Sequence, residues 1–320
     1  MQLLKFVEAC VLLAFIYYER TSSLSSTEDP TCPGQWKLTW SDEFEGSEID
    51  NRKWTHEIGK FYNNELEFYT ATRANSFVQD GLLVIQAINQ SGNYTSARLI
   101  TNGTFGTKYG RIEMRAKLPF GQGMWPAFWM LGDKDWWPKC GEIDIMEFIG
   151  RQPKHVYSAL HSVRFDTVDN FTDENGFSND FHVFTAFWNP GRISFAVDGI
   201  LFAEQSINDA KMQSGDWPFD QEGYNAFIIL NLAVGGDWPG NPDSTTQFPQ
   251  RFLIDYVRVY KCMAQIRAAH WNLHRMRNRF IIANRFCVQR TFHENGRKSA
   301  KIFRQSVMEN CRFTSPGSLI

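Results

Sequence analysis

The 320-residue chain has few cysteines, only six, and almost no net charge, with a formal value of -2 at pH 7. Beyond its first 27 residues it has no apolar run of transmembrane length, and residues 36–261 show neither an internal repeat nor a long amphipathic helix. These absences exclude a small disulfide-rich scaffold, a multi-span membrane protein and a helical repeat protein. What the chain does have is 43% hydrophobic residues, enough to fill a large core, and 15% aromatic residues, which suit either that core or flat stacking surfaces.

The near-zero net charge conceals two segments of opposite sign. Residues 263–320 carry eleven basic and two acidic residues, a balance of +9, which leaves -11 for the rest of the chain. An acidic body does not suit nucleic acid or an anionic membrane, but it is compatible with a neutral polysaccharide. The basic segment contains neither Gly nor Pro over 263–290. We interpret 263–320 as a basic C-terminal extension of unknown role, either genuine or translated non-coding sequence.

The N-terminus is organised like a secretory signal peptide. Lys5 precedes the apolar run 9–18, and small polar residues follow, so we assign residues 1–23 to a signal, with an uncleaved anchor as the alternative because Glu8 interrupts the basic start. We therefore expect a secreted, extracellular protein with no stable membrane association once the signal is removed. Four glycosylation sequons agree with that route, and they begin at Asn89, Asn93, Asn102 and Asn170. Removal of Cys10 would leave five cysteines, so at least one is free or pairs between chains.

The pattern of residues 36–261 predicts short strands separated by turns that contain Gly, Pro, Asn and Asp. Alternating polar and apolar residues over 111–118 and 192–197 predict strands of an antiparallel sandwich, and Asp198-Gly199 predicts a tight hairpin turn. The last strand-like run is 252–260, so we expect the closing strand to end by Lys261 and set the domain at 33–262.

The segment 141–150 (GEIDIMEFIG) alternates three carboxylates with large apolar residues. On a strand, Glu142 and Asp144 share one face, whereas Glu147 is out of phase unless a bulge at Ile145-Met146 adds one residue. A bulge there places all three acids on one face. Crowded carboxylates raise the pKa of at least one member, which is the division of protonation states that a retaining glycosidase uses. The same acids also suit a hard cation such as calcium, or a solvated acidic surface.

The chain resembles glycoside hydrolase family 16, and within it the laminarinase-like endo-β-1,3-glucanases. The resemblance spans about residues 36–260, beyond the acidic motif itself. Its motifs are 40–46 (WSDEFEG), 63–70 (NNELEFYT), 109–119 (YGRIEMRAKLP), 123–131 (GMWPAFWML), 159–161 (ALH), 231–236 (NLAVGG) and 255–260 (DYVRVY). It implies an all-β jelly-roll sandwich with a concave substrate cleft. It also implies that the extra Met146 marks the laminarinase branch.

The resemblance assigns roles to individual residues. Glu142 matches the nucleophile, Asp144 the assisting acid and Glu147 the acid/base of a retaining double displacement, while His161 matches a histidine beside them. Taken alone, a histidine after an apolar run is more often a structural group than a site residue. Further matches concern sugar contacts, and these residues are Asn64, Arg98, Trp125, Trp129, Trp137 and Trp238. Each of these tryptophans suits core packing as well as stacking on a pyranose ring.

The resemblance further implies a structural calcium held by Glu43, the backbone of Gly81 and Asp255, while the chemistry needs no cofactor. The expected partner is a β-glucan polysaccharide bound by a monomer. Two other functions remain open: a glucan-recognition protein without catalysis, which the retained acids argue against, and a hydrolase of mixed-linkage glucan or galactan.

Overall fold

The computed structural model describes residues 32, 34–60, 62–209 and 217–263. The signal segment 1–23 and nearly all of the extension 263–320 lie outside the described residues, so both assignments stay predictions. In the described part, no helix is long and apolar enough to cross a membrane. The described residues form strands and one short 3-10 helix at Pro218–Asp220, which confirms the all-β prediction.

The strands, in chain order, are β1 (Gln35–Asp42), β2 (Thr55–His56), β3 (Phe68–Tyr69), β4 (Ser76–Gln79), β5 (Leu82–Gln90), β6 (Asn93–Ser96), β7 (Arg98–Ile100), β8 (Gly110–Lys117), β9 (Met124–Gly132), β10 (Glu142–Phe148), β11 (His155–His161), β12 (Asp166–Thr172), β13 (His182–Asn189), β14 (Arg192–Val197), β15 (Ile200–Ser206), β16 (Ala226–Val234) and β17 (Gln250–Met263).

These strands make two sheets that form a sandwich. The first sheet runs in the order β15-β14-β13-β8-β17-β5-β6-β3, with β1 added beside β17 and β4 beside β5. The second runs in the order β12-β11-β10-β9-β16-β7-β2. Neighbours far apart in sequence, such as β8 and β17 or β9 and β16, pair in the centre of each sheet, as expected for a jelly roll.

The core lies between the sheets and follows from the period-two alternation of each strand. Ile143 and Phe128 from the second sheet are almost fully buried, as are Met114, Phe184 and Val257 from the first. Each such side chain contributes about 1.5–3 kcal/mol by leaving water. Because alternate residues face inward, the remaining positions of β9, β10 and β16 project from the outer face of the second sheet.

The two ends of the described domain are joined. Strand β1 pairs with β17, in a register that runs from the pair Gln35–Met263 to the pair Asp42–Val257. A disulfide links Cys32 to Cys262. The closing strand therefore continues past Lys261, where we expected it to end, because β1 supplies backbone partners as far as Met263. Cys140 is buried and free, while Cys10, Cys287 and Cys311 lie outside the described residues.

The predicted hairpin at Asp198-Gly199 is confirmed. Val197 of β14 pairs with Ile200 of β15 directly beside the turn. The two turn residues, Asp198 and Gly199, have φ angles of 50° and 79°. Two left-handed residues in succession match the twist of the strands that they connect.

Candidate active site

The bulge predicted in β10 is confirmed at Ile145-Met146. Against β11, Asp144 pairs with Ala159 and the next pair is Glu147 with Tyr157, so two residues of β10 oppose one residue of β11. The hydroxyl of Ser158, the opposed residue, donates to the carbonyl of Ile145 at 2.8 Å. The extra residue returns Glu147 to the phase of Asp144, because side chains alternate along a strand.

The three acids of β10 line one cavity on the outer face of the second sheet. Its lining consists of Tyr62, Asn63, Glu65, Arg98, Trp125, Ala127, Trp129, Glu142, Asp144, Glu147 and Asn231. An adjoining groove of about 650 Å³ shares Glu142, Arg98 and Trp129 and continues to Trp136 and Trp137. The acids therefore lie in the wall of a larger opening that can hold a polymer.

Burial and mutual repulsion raise the pKa of each acid. Burial raises the pKa of Glu142 well above its usual range, and the charge of Asp144 adds to the effect. Burial likewise raises the pKa of Asp144, assisted by Glu147. For Glu147, burial and the charge of Glu142 bring the pKa to about 7. The three carboxyls thus titrate as a coupled set that holds protons near neutral pH.

The two outer acids of this set, Glu142 and Glu147, each accept a hydrogen bond from a tryptophan N–H group. Trp137 Nε1 donates to Glu142 Oε2 and lowers the pKa of that carboxyl, opposing the effect of burial. Trp125 Nε1 donates to Glu147 Oε1 at 3.0 Å and lowers the pKa of Glu147 in the same way. Each carboxylate is oriented as well as stabilised by its indole, since a hydrogen bond fixes the direction of the oxygen.

His161 connects Asp144 to the outer edge of the sheet. Its Nε2 lies 3.1 Å from Asp144 Oδ2 and its Nδ1 lies 2.7 Å from Asp166 Oδ1. One carboxylate oxygen of Glu142, one of Asp144 and one ring nitrogen of His161 all lie within 4.8 Å of one another. The histidine predicted from sequence therefore belongs to the acidic cluster.

Arg98, on β7, brings a fixed cation to the cavity. Its guanidinium lies 4.7 Å from the centre of the Trp129 ring and its Nε pairs with Glu57. Trp129 in turn donates to Asn231 Oδ1 at 2.7 Å. A cation over an indole face is attractive, so the two side chains hold each other in place.

Asn64 and Trp238 do not line the cavity. Asn64 donates to the Asp237 carboxylate at 3.0 Å, and the neighbouring Asn63 lines the cavity instead. The Trp238 ring packs edge-on against Trp125 with centroids 5.6 Å apart. Both residues therefore support the wall, and their predicted contacts with sugar stay predictions.

The residues predicted to hold calcium lie on the first sheet and its loops. The Glu43 carboxylate accepts three bonds from Arg258 at 2.7–3.2 Å, and Asp255 is paired with Arg115. Gly81 has a φ of 74° in the turn after β4. In this arrangement the arginines occupy the carboxylate oxygens that calcium would need, so the residues as placed do not fit the ion. The calcium site stays a prediction, and no step of the chemistry depends on it.

Sequence reasoning did not assign a role to Tyr62, Glu65, Trp136, Asp166 or Asn231. Asn231 had a visible signal, because it is a lone amide within the apolar strand β16, and a buried amide requires partners. It donates to Tyr69 Oη at 3.1 Å. Tyr62 and Trp136 are 73% and 63% exposed, a state that an aromatic residue in a β pattern does not reveal.

The chain is similar in sequence and in fold to known proteins. The family model of glycosyl hydrolases family 16 matches residues 51–258. A β-glucanase of Rhodothermus marinus is 38% identical over 75% of this chain and 90% of its own length. A glucan endo-1,3-β-glucosidase of Cryptopygus antarcticus is 36% identical over 71% and 93%. The laminarinase catalytic domain of Thermotoga maritima superposes with a TM-score of 0.67 at 44% identity, covering 72% of this chain and 99% of that domain.

Proposed function

Because the chain belongs to glycosyl hydrolases family 16, we propose that it is a secreted endo-β-1,3-glucanase that hydrolyses internal bonds with retention of the β anomer. The observation that carries the proposal is the bulged strand β10, which presents Glu142, Asp144 and Glu147 to one cavity. The substrate class is supported by the relatives named glucan endo-1,3-β-glucosidase and laminarinase.

Glu142 is the nucleophile. Burial and the charge of Asp144 raise the pKa of Glu142, whereas the N–H of Trp137 favours its ionised form. Glu142 attacks in the state in which the proton shared by the two acids resides on Asp144, so that Glu142 presents an anionic oxygen. In the first step this oxygen forms a bond to the anomeric carbon while the bond from that carbon to the leaving oxygen breaks. The product is a covalent glycosyl-enzyme with inverted configuration.

Glu147 is the acid and then the base. With a pKa of about 7 it is protonated in a large fraction of molecules at neutral pH, and it gives this proton to the leaving oxygen. In the second step the Glu147 carboxylate takes a proton from water, whose oxygen bonds to the anomeric carbon as the bond to Glu142 breaks. The second inversion restores the β anomer, and both carboxyls return to their starting states.

His161 positions Asp144 and is itself positioned by Asp166. Its two ring nitrogens bridge the buried acid and an acid at the edge of the sheet. The hydrogen bond to Asp166 holds the imidazole in place, and its Nε2 contact then fixes the position of the Asp144 carboxyl beside Glu142.

The groove beside the acids suits a chain of neutral sugars. Trp136 and Trp137 line it and are 63% and 59% exposed, so their ring faces are accessible. An indole face packs well against the apolar face of a pyranose, and Arg98 and Asn63 supply polar partners for hydroxyls. An opening of about 650 Å³ that extends past the acids is consistent with cleavage inside a polymer.

Secretion is supported by features separate from the N-terminal segment. Asn89, Asn93, Asn102 and Asn170 are all exposed, so each sequon is accessible to a glycosyltransferase. The disulfide between Cys32 and Cys262 fits an oxidising compartment.

Reducing-sugar release from a panel of polymers tests the proposal. We expect release from laminarin to exceed release from mixed-linkage β-glucan and from galactan, with oligosaccharides of several sizes appearing early. Binding of laminarin without release would indicate a recognition protein. Release from galactan alone would replace the substrate assignment and leave the hydrolase assignment in place.

A further inference from the structure

A second pair of carboxyls lies beside the catalytic acids, in the loop that leads into β3. Glu65 lines the cavity that holds Glu142, Asp144 and Glu147. Glu67, two residues further on, is completely buried. No arginine or lysine forms an ion pair with either residue in the described ranges. A buried acid without a cation is costly, so its retention behind a binding cavity calls for an explanation.

The surroundings of Glu67 favour its neutral form. Its Oε2 accepts the backbone N–H of Val234 at 2.6 Å, while its Oε1 is buried and has no donor among the described residues. Burial, followed by the charge of Glu65 and a hydrogen bond to it, raises the pKa of Glu67 to about 8. Two carboxyls can share a hydrogen bond only if one of them keeps a proton, and the more deeply buried member keeps it at lower cost.

The side chains that contact Glu65 in the cavity wall are hydrogen-bond donors. Hydrogen bonds run in one direction from the cavity wall to this carboxylate: Trp129 donates to Asn231, which donates to Tyr69. Tyr69 then donates to Glu65 Oε2 at 3.4 Å, and Asn63 donates to Glu65 Oε1 at 3.3 Å. Burial raises the pKa of Tyr69 well above its usual range, so its hydroxyl stays a donor. Asn63 and Tyr69 both donate hydrogen bonds to Glu65, which is the pattern expected around an acceptor.

We propose that Glu65 is a sugar-binding carboxylate that accepts hydrogen bonds from substrate hydroxyls, and that protonated Glu67 is the positioning residue that holds it toward the cavity. The ligand is the polysaccharide of the proposed function, on which this inference rests. A carboxylate that accepts from two hydroxyls of one pyranose is a strong and directional contact. Glu67 touches no substrate and acts only through Glu65 and the backbone of Val234.

The proposal implies a loss of affinity at alkaline pH. The charged and titratable groups around Glu67 are Glu65 on its own loop, Tyr69 on β3 and Arg98 on β7, with the Val234 N–H on β16. Below about pH 8 Glu67 keeps its proton and donates to Glu65. Above that pH it ionises, the two carboxylates repel, and Glu65 loses both a donor and its fixed orientation.

The test uses the full chain with Glu142→Gln, which binds substrate without cleaving it. The dissociation constant of laminarihexaose is measured from pH 6 to 9.5, with and without Glu67→Gln. We expect the parent to weaken about tenfold above pH 8, as for loss of one charge-assisted bond. Glu67→Gln, whose amide donates at every pH, should bind like the parent at pH 7 and lose the alkaline weakening. Because Glu147 is present in both proteins, its own titration cancels in the comparison.

Two further variants complete the test. Glu65→Gln should weaken binding about tenfold at pH 7. Glu204→Gln, on β15 of the opposite sheet, changes one charge without touching the cavity and should leave the curve unchanged. Parallel alkaline weakening with and without Glu67→Gln, or unaltered affinity in Glu65→Gln, would overturn the proposal.

A substrate-free readout separates this proposal from the substrate assignment. Infrared difference spectra should show a protonated-carboxyl band, in addition to those of Asp144 and Glu147, that disappears between pH 7 and 9.5 and is missing from the spectra of Glu67→Gln. If laminarihexaose does not bind but this band is found, the β-1,3-glucan assignment fails while the shared proton stands, and binding is repeated with the polymer that the panel identifies. If the band is absent, the proposal fails whatever the substrate.

Discussion

Strands β8 and β10 lie in opposite sheets and share an alternation of charged and apolar residues, yet their buried acids have different partners. Glu113 on β8 is 2% exposed and accepts bonds from the Arg111 guanidinium and from Tyr260 Oη at 3.0 Å. Asp144 on β10 is 3% exposed, and among the described residues its only basic neighbour within 4 Å is His161. The cost of burying a carboxylate is thus offset by an arginine on β8, whereas on β10 it is left largely without an opposing charge.

Under the proposed function, this difference separates charges that stabilise the fold from charges that take part in the reaction. On the first sheet Glu113 and Asp255 are paired with arginines and Asp42 with Lys53. Just after β1, Arg258 holds the pKa of Glu43 below its usual range. In the cavity, burial raises the pKa of all three acids of β10. A matched acid stays ionised and is inert, whereas an unmatched one exchanges protons near the working pH, as acid–base catalysis requires.

The largest expected effect comes from removing the attacking oxygen. Glu142→Ala should lower kcat on laminarin by about 10⁴-fold or more, because no other group replaces the nucleophile. Affinity should be retained, since the stacking indoles are untouched. Steady-state kinetics and calorimetric titration with laminarihexaose measure the two quantities. Turnover within about a hundredfold of the parent would contradict the role given to Glu142.

Removal of the proton donor should cost less, and the cost should depend on the leaving group. Glu147→Ala should lower kcat on laminarin by about 10²–10⁴-fold, the usual contribution of a general acid. An aryl β-glucoside oligomer with an acidic phenol should be affected much less, because its leaving oxygen needs little protonation. Parallel rate measurements on the two substrates decide this. Equal losses on both would remove Glu147 from the role of acid.

Stability should respond in opposite directions on the two strands. Glu113→Gln should lower the free energy of unfolding by about 3 kcal/mol, because it leaves Arg111 without its partner. Asp144→Asn should raise it, increasingly so as the pH rises above about 4, because the raised pKa makes the folded state retain a proton that the unfolded chain has released.

Denaturant unfolding of both variants at pH 5 and 8 provides the comparison. Activity serves as the control, since Glu113→Gln should keep kcat while Asp144→Asn should lower it less than Glu142→Ala does. Loss of stability in both variants would mean that the acids of β10 are structurally compensated after all.

The smallest expected effect is a displacement of the pH profile. The Glu147 pKa of about 7 predicts that kcat/KM falls above neutral pH as the acid loses its proton. Trp125→Phe removes the N–H that lowers this pKa, so the Glu147 pKa should rise and the alkaline limb should move to higher pH. The pH dependence of kcat/KM on laminarin measures the limb. A shift to lower pH would show that the indole acts in another way.

The antiparallel strands and the face shared by the three acids of β10 could be predicted from sequence because they depend on local rules, whereas the jelly-roll topology and the roles of the acids were predicted from the family resemblance. The alternation of Ile143 and Ile145 with acids fixed the face of β10, and the phase of Glu147 required the bulge that the structure shows. The turn at Asp198-Gly199 depended on two residues that tolerate positive φ. Such features involve neighbours in the chain, so the sequence pattern contains them.

What could not be predicted depends on contacts between distant segments. The partner of Cys32 is Cys262, 230 residues away, and the spacing of cysteines does not determine their pairing. The bond of Asn231 to Tyr69 joins two strands whose residues are 162 positions apart in the chain. The burial of Glu67 results from its loop docking against Val234, whereas a glutamate in a polar loop motif is ordinarily exposed.

The anomeric form of the first product tests the account most directly, since Glu142 as nucleophile and Glu147 as acid allow only one outcome. Laminarihexaose is added to the enzyme in the NMR tube, and the anomeric protons of the new reducing ends are followed from the first minutes, before mutarotation mixes the forms. The account predicts that the β anomer appears first and that the α anomer grows in later at the rate of spontaneous mutarotation. Initial appearance of the α anomer would contradict the double displacement and the assignment of Glu142 as nucleophile.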